Sequence, residues 1–125
     1  MARTLTLTFM SGARDGEVVQ LETTGSLPSV SIGRDAACEL VISDDPDLSR
    51  RHARIFWNGS SWMLEDLNSS NGTYIGEFQA ARRLSGTDSI EHGEIFRVGL
   101  TRLRLGGAKN ERLATAAAAA IATRS

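Results

Sequence analysis

Apolar and polar residues alternate from the beginning of the chain. Leu5, Leu7 and Phe9 fall on one side of an extended segment and Thr4, Thr6 and Thr8 on the other, the period-two pattern of a half-buried strand. A strand beginning near residue 4 is followed by a turn over residues 11–16, rich in Gly and Asp, and by a returning strand over 17–21, so the first two elements form a hairpin. The same alternation recurs over residues 29–32, 38–42, 52–57, 61–65, 73–75, 94–98 and 102–105, with Gly, Ser, Asn and Asp between the runs. Short strands separated by such turns predict an all-β sandwich or barrel. Asn58-Gly59, between two aromatic-bearing runs, marks a tight hairpin in which Asn and Gly supply positive φ angles. Trp57 and Trp62 flank that turn, which favours packing across the strands over a ligand platform.

The pattern changes after Gly106. Five consecutive alanines, Ala116 to Ala120, favour helix, yet Leu113 and Ile121 are the only sizeable apolar residues there, so the segment has little to bury. Residues 1–106 are therefore expected to fold as one domain, and 107–125 to form an Ala-rich linker or frayed helix outside its core, leading on to any further domains of a longer parent. A length of 125 residues with 41% hydrophobic residues suits a single core.

Charge and cysteine usage narrow the function. Fourteen Lys+Arg against fifteen Asp+Glu leave a net charge of −1, so there is no broad positive field for nucleic acid or acidic membranes, and anion recognition must be local. One cysteine, Cys38, with two histidines, His52 and His92, cannot furnish a structural zinc site or a disulfide framework. The N-terminal residues lack the continuous apolar stretch of a signal peptide, and no apolar run reaches membrane-spanning length. The expectation is a cytoplasmic protein without metal or cofactor.

Polar side chains concentrate in three places that interrupt the strands. Gly33-Arg34-Asp35 follows Ile32, Ser49-Arg50-Arg51-His52 precedes Ala53, and Asn68-Ser69-Ser70-Asn71-Gly72-Thr73 precedes Tyr74. Arg34 and Arg50 offer guanidinium groups, Ser49 and Ser70 hydroxyls and Asn71 an amide, the donor types that a phosphate needs. A hydrolase triad built on Ser49 and His52, completed by Asp44, Asp45, Asp47 or Asp66, fits poorly. No Gly-x-Ser-x-Gly elbow surrounds Ser49, and residues three apart on an extended segment point to opposite faces. Lys109 is the only lysine and lies in the tail, so no Walker loop is present. The acidic run Asp44-Asp45-Pro46-Asp47 lacks a calcium-loop signature and reads as a turn before a strand.

The ordered elements Gly33-Arg34, then Ser49-Arg50-Arg51-His52, then Asn71-Gly72 resemble the forkhead-associated (FHA) domain family, and the flanking segments 30–34, 38–42, 66–73 and 92–99 agree with it. The resemblance spans roughly Leu5 to Leu105. It implies a two-sheet antiparallel β-sandwich of the FHA/SMAD-like type that binds phosphothreonine peptides through loops at one end and performs no chemistry. Carried over by motif position, Arg34, Ser49, Arg50 and Ser70 bind the phosphate and Asn71 the peptide backbone beside it. Gly33, His52 and Gly72 support the binding loops, with Gly33 permitting a tight turn. Arg51 stays outside the site, because a neighbour on an extended segment points the other way. The implied partner is a Thr-phosphorylated protein or peptide, a substrate of a Ser/Thr kinase, with no nucleic acid and no membrane involved. Where relatives often carry a further Asn-Gly, this chain has Gly76-Glu77, and Glu77 with Arg82-Arg83 gives no clear selectivity for flanking residues. The alternative is an interaction module of the same fold that binds a partner independently of phosphate. Thr23, Thr24, Thr115 and Thr123 are candidate phosphorylation sites for self-engagement, with exposed, unmodified threonines the simpler expectation.

Overall fold

The computed structural model of the chain describes residues 3–23 and 29–106. Eleven strands follow in order: β1 (Arg3–Phe9), β2 (Val18–Thr23), β3 (Ser29–Gly33), β4 (Leu40–Val41), β5 (Ala53–Trp57), β6 (Trp62–Asp66), β7 (Thr73–Ile75), β8 (Arg82–Arg83), β9 (Thr87–Ile90), β10 (Ile95–Val98) and β11 (Thr101–Leu105). A short 3-10 turn, Phe78–Ala80, lies between β7 and β8. One sheet has six strands in the order β2-β1-β11-β10-β7-β8 and the other five in the order β4-β3-β5-β6-β9. Every pairing is antiparallel except β3 with β4, so the expected all-β sandwich is the architecture found. The Ala-rich tail, Thr24, Thr115 and Thr123 lie outside the described residues.

Alternation explains the core. Leu5, Leu7 and Phe9 of β1, Val30 and Ile32 of β3, Ile55 of β5, Leu64 of β6, Phe96 and Val98 of β10, and Leu103 and Leu105 of β11 are all buried between the sheets. Opposite residues in a register share a face, so one apolar row per strand suffices to seal the interior. Thr23 is buried as well, with its hydroxyl donating to the Arg3 carbonyl at 2.6 Å, which removes it as an accessible phosphorylation site.

Two strands were not anticipated. β8 and β9 occupy sheet edges, are short and carry charge, features that keep an edge from pairing with other chains but that erase the period-two signal. The hairpin between β5 and β6 also differs in detail. Gly59 has φ 107° whereas Asn58 keeps a negative φ, so Gly59 and Ser60 form the centre of the turn. Asn58 acts through its side chain, whose Oδ1 accepts from the Ser60 and Ser61 N–H groups at 2.9 and 2.8 Å. Trp57 and Trp62 meet across this hairpin edge-to-face, with ring centroids 5.3 Å apart.

One buried carboxylate ties the segment between β4 and β5 to the opposite sheet. Asp45 accepts from the Leu100 N–H at 2.8 Å and the Thr101 hydroxyl at 2.7 Å in the β10–β11 turn, and from the Asp47 N–H at 3.0 Å in its own loop. Gly99 is required beside it: its φ of 60° suits glycine, and a Cβ there would come within 2.8 Å of the Asp45 carboxylate. The acidic turn is thus an anchor for the loop that carries Ser49 and Arg50. Replacing Asp45 by Ala removes three hydrogen bonds to a charged acceptor, a kind of bond worth roughly 1.5–3 kcal/mol each. Urea unfolding of Asp45→Ala is expected to show a clearly lowered midpoint, and an unchanged midpoint would refute the anchor.

Candidate phosphate-binding loops

The loops after β3, before β5 and before β7 lie together at one end of the sandwich, and backbone bonds explain why. The Arg34 and Asp35 N–H groups donate to the Ser49 and Arg50 carbonyls at 3.2 and 3.1 Å, and the Cys38 thiol also reaches the Arg50 carbonyl, at 3.3 Å. This approach requires Gly33. A Cβ on Gly33 would lie 1.9 Å from the Arg50 carbonyl oxygen, a hard clash of backbone on side chain. Gly33 does not have a positive φ, so its role is close approach and not the tight turn that the sequence suggested.

His52 joins the second loop to the third. Its ring is fully buried; Nδ1 accepts from the Ser49 N–H at 3.1 Å and Nε2 lies 2.8 Å from the Gly72 carbonyl. A nitrogen that accepts cannot carry the proton, so the Nε2–H tautomer satisfies both contacts. With both nitrogens committed to backbone, His52 has none to offer the Ser49 hydroxyl, and the Ser-His relay of a hydrolase is not assembled.

The third loop is organised by Asp66. Its carboxylate accepts from the Ser69 N–H and hydroxyl at 3.1 and 2.6 Å and from the Thr73 hydroxyl at 2.7 Å, while the Ser69 hydroxyl accepts from the Gly72 N–H at 2.9 Å. Burial pushes this carboxyl up, but the hydrogen bonds from Ser69 and Thr73 outweigh it and hold the group below the ordinary carboxylate range. Gly72, with φ 85°, closes the turn.

These supports leave a set of outward-facing donors. Arg34 is exposed and donates through Nε to the Leu48 carbonyl, which fixes the guanidinium and leaves its two outer nitrogens without a partner among the described residues. The Ser49 hydroxyl accepts from the Ser70 N–H at 3.1 Å, so its own proton is free to donate outward. Ser70 is exposed, as is Asn71, whose Nδ2 donates to the Asp47 carbonyl at 2.8 Å and bridges the second and third loops. Arg50 is exposed beside Ser49, with no carboxylate in ion-pair range among the described residues. Glu39 is held below its usual range by the Ser31 N–H and hydroxyl, with a smaller contribution from the charge of Arg51.

A family model described as the FHA domain matches residues 30–99, more than half of the chain and all three loops. The chain belongs to the FHA domain family. This FHA domain is 35% identical over 91 residues to the FHA domain-containing protein FhaB of Mycobacterium tuberculosis, an alignment covering 73% of this chain and 56% of that protein. The chain thus spans about half the length of the curated relative it matches. Among solved structures, the FHA domain of a Chlamydia trachomatis protein superposes with TM-score 0.68 at 25% identity, covering 85% of this chain and 99% of that one. An FHA domain solved in an analysis of phosphothreonine-dependent FHA interactions superposes with TM-score 0.66 at 27% identity, covering 85% and 98%.

Besides Gly33, His52 and Gly72, this FHA domain braces its loops with residues that the sequence does not mark as supports. Asp45, Asp66 and the Asp47 carbonyl hold the loops, and a further guanidinium, that of Arg83, lies against Gly72, where a Cβ would meet its Nε at 2.8 Å. The Asp66 signal was visible as an acidic residue three before Ser69 and seven before Thr73; the Arg83 contact depends on a strand pairing that no local pattern announces. Gly33→Ala forces the Arg50 backbone away, at an expected cost of about 1–3 kcal/mol from overpacking. Amide spectra should then show shifts centred on residues 33–35 and 49–52, and a spectrum unchanged there would contradict the close approach.

Proposed function

We propose that this FHA domain is a phosphothreonine-dependent adaptor that recruits targets of a Ser/Thr kinase without catalysing a reaction on them. The observation that supports the reading is that Arg34, Ser49, Arg50 and Ser70 keep donors unused among the described residues, with Asn71 exposed beside them, on loops already braced from within. Phosphothreonine-dependent interactions of a solved relative support the same assignment. Arg34, Ser49, Arg50 and Ser70 take the phosphate oxygens, and Asn71 takes the peptide backbone beside them, while Gly33, His52 and Gly72 hold the loops. A dianionic phosphate offers acceptors for charge-assisted bonds worth roughly 1.5–3 kcal/mol each, and a bare threonine hydroxyl offers almost none of that. Such a ligand is made where ATP-dependent protein kinases act, which puts the module in the cytoplasm. The proposed binding module is residues 1–106, with 107–125 outside it. Among the described residues no helix is long and apolar enough to cross a membrane.

The test is binding of the purified chain to peptides in phosphothreonine, phosphoserine and unphosphorylated forms. Phosphothreonine peptide should bind, the unphosphorylated form should not, and Arg34→Ala should weaken binding by about tenfold or more while keeping the wild-type fold. Equal binding of all forms would instead support a phosphate-independent module.

Affinity should also depend on pH with a definite sign. The outer phosphate ionisation lies near pH 6, so the dianion predominates above it and protonation removes charge from the ligand below it. The arginines stay charged throughout, and Asp66, held below the usual range, stays ionised as well. Binding should therefore weaken from pH 7.5 toward pH 5, measured by titration at constant ionic strength; a flat profile would count against a dianion-selective pocket.

A further inference from the structure

The phosphate-binding loops continue into a basic strip on the outer face of the six-stranded sheet. The registers pair Arg102 with Arg97, Arg97 with Tyr74 and Tyr74 with Arg83, so these side chains form one row across β11, β10, β7 and β8. Arg97 lies over the Tyr74 ring with its guanidinium 4.3 Å from the centroid, and Arg83 reaches along the same face to Gly72 at the end of the third loop. Arg102 lies 5.1 Å from the ring centroid of Phe78. Phe78 is 77% exposed, and its φ of 52° places a bulky residue in a backbone region that costs energy outside glycine. None of Arg83, Arg97 and Arg102 has a carboxylate within ion-pair distance among the described residues, whereas Arg82 next door is paired with Asp88 at 2.9 Å.

Positive charge is thus concentrated in one line on a chain whose net charge is −1, and that line starts at the residue following Asn71. We propose that this strip, Arg83–Tyr74–Arg97–Arg102 with Phe78 at its side, is a second docking surface that takes an acidic segment of the same phosphorylated partner. The proposal rests on the phosphothreonine reading for the word "same" and on the registers for the surface itself. Charge complementarity selects an anionic occupant, and continuity with the phosphate loops selects one attached to the phosphopeptide. A nucleic acid fits less well: the Tyr74 ring is already covered by a guanidinium and is not free for base stacking, and no wider basic field surrounds the strip. Crossing from β8 to β11 is about 14 Å at the usual strand spacing, which about four extended residues cover at roughly 3.3–3.6 Å each. Several acidic side chains within a few residues of the phosphothreonine are therefore what the strip is dimensioned for.

The experiment compares three phosphothreonine peptides: one with neutral flanks, one with four Glu on the N-terminal side and one with four Glu on the C-terminal side. Against wild type, one of the acidic peptides should bind about three- to tenfold tighter than the neutral one. The double variant Arg97→Gln, Arg102→Gln should abolish that advantage and bind the neutral peptide as wild type does. No advantage for either acidic peptide, or an advantage that survives the double variant, overturns the proposal. Arg34→Ala acts on the other reading, because it should remove binding of the neutral peptide. If wild type binds no neutral phosphopeptide, the phosphothreonine reading fails. The strip is then judged by the unphosphorylated Glu-containing peptides at low salt, where amide shifts at Tyr74, Phe78 and Arg97 support an acid-binding surface and their absence refutes it.

Discussion

The buried imidazole of His52 is the constraint on which the rest of the binding end depends. It accepts from the Ser49 N–H and faces the Gly72 carbonyl, so one ring closes the gap between a loop within the five-stranded sheet and the loop that crosses from that sheet to the six-stranded one. The Gly72 carbonyl contact is buried and the Ser49 N–H contact partly so, and a buried polar group left bare costs about 1–3 kcal/mol. The ring therefore fixes the distance between the hydroxyl of Ser49 and the turn carrying Ser70 and Asn71. Gly33 performs the matching task on the other side, admitting the Arg50 carbonyl so that the Arg34 loop packs against the Ser49 loop.

Around these contacts the polar groups divide into those that hold and those that wait. Asp45, Asp66 and His52 have their hydrogen-bonding capacity spent on backbone and neighbouring hydroxyls, which makes the loops stiff before any ligand arrives. Arg34, Arg50, Ser49 and Ser70 retain donors that nothing in the described residues uses. Preorganised, unsatisfied donors at a surface favour a ligand that supplies many acceptors and negative charge at once, and a phosphate does so. The Gly72–Arg83 contact carries the same logic past the loops, because it places a guanidinium at the junction between the third loop and the sheet's outer face.

How far this was legible depended on which forces leave a mark on local sequence. Strands with one buried face, such as Leu5-Leu7-Phe9 and Val30-Ile32, announce themselves because burial imposes period two. The edge strands Arg82–Arg83 and Thr87–Ile90 do not, because an edge selects for charge and brevity instead of alternation. Arg34, Ser49, Arg50, Ser70 and Asn71 stand out through the motif order that resembles the FHA family, and they fall on the three loops at one end of the sandwich. The reason for Gly33 does not stand out, since a clash with a carbonyl seventeen residues later exists only once β3 and the Ser49 loop are packed. Asp45 likewise looked like an acidic turn, and its partners at residues 100 and 101 lie far along the chain.

A crystal structure of the domain with a bound phosphothreonine peptide tests the central claim most directly. The account predicts phosphate oxygens within hydrogen-bond distance of the Arg34 outer nitrogens and the Ser49 and Ser70 hydroxyls, with the Ser49–His52–Gly72 contacts intact. A phosphate seated away from these residues, or one that binds only after the His52 contacts break, would contradict it.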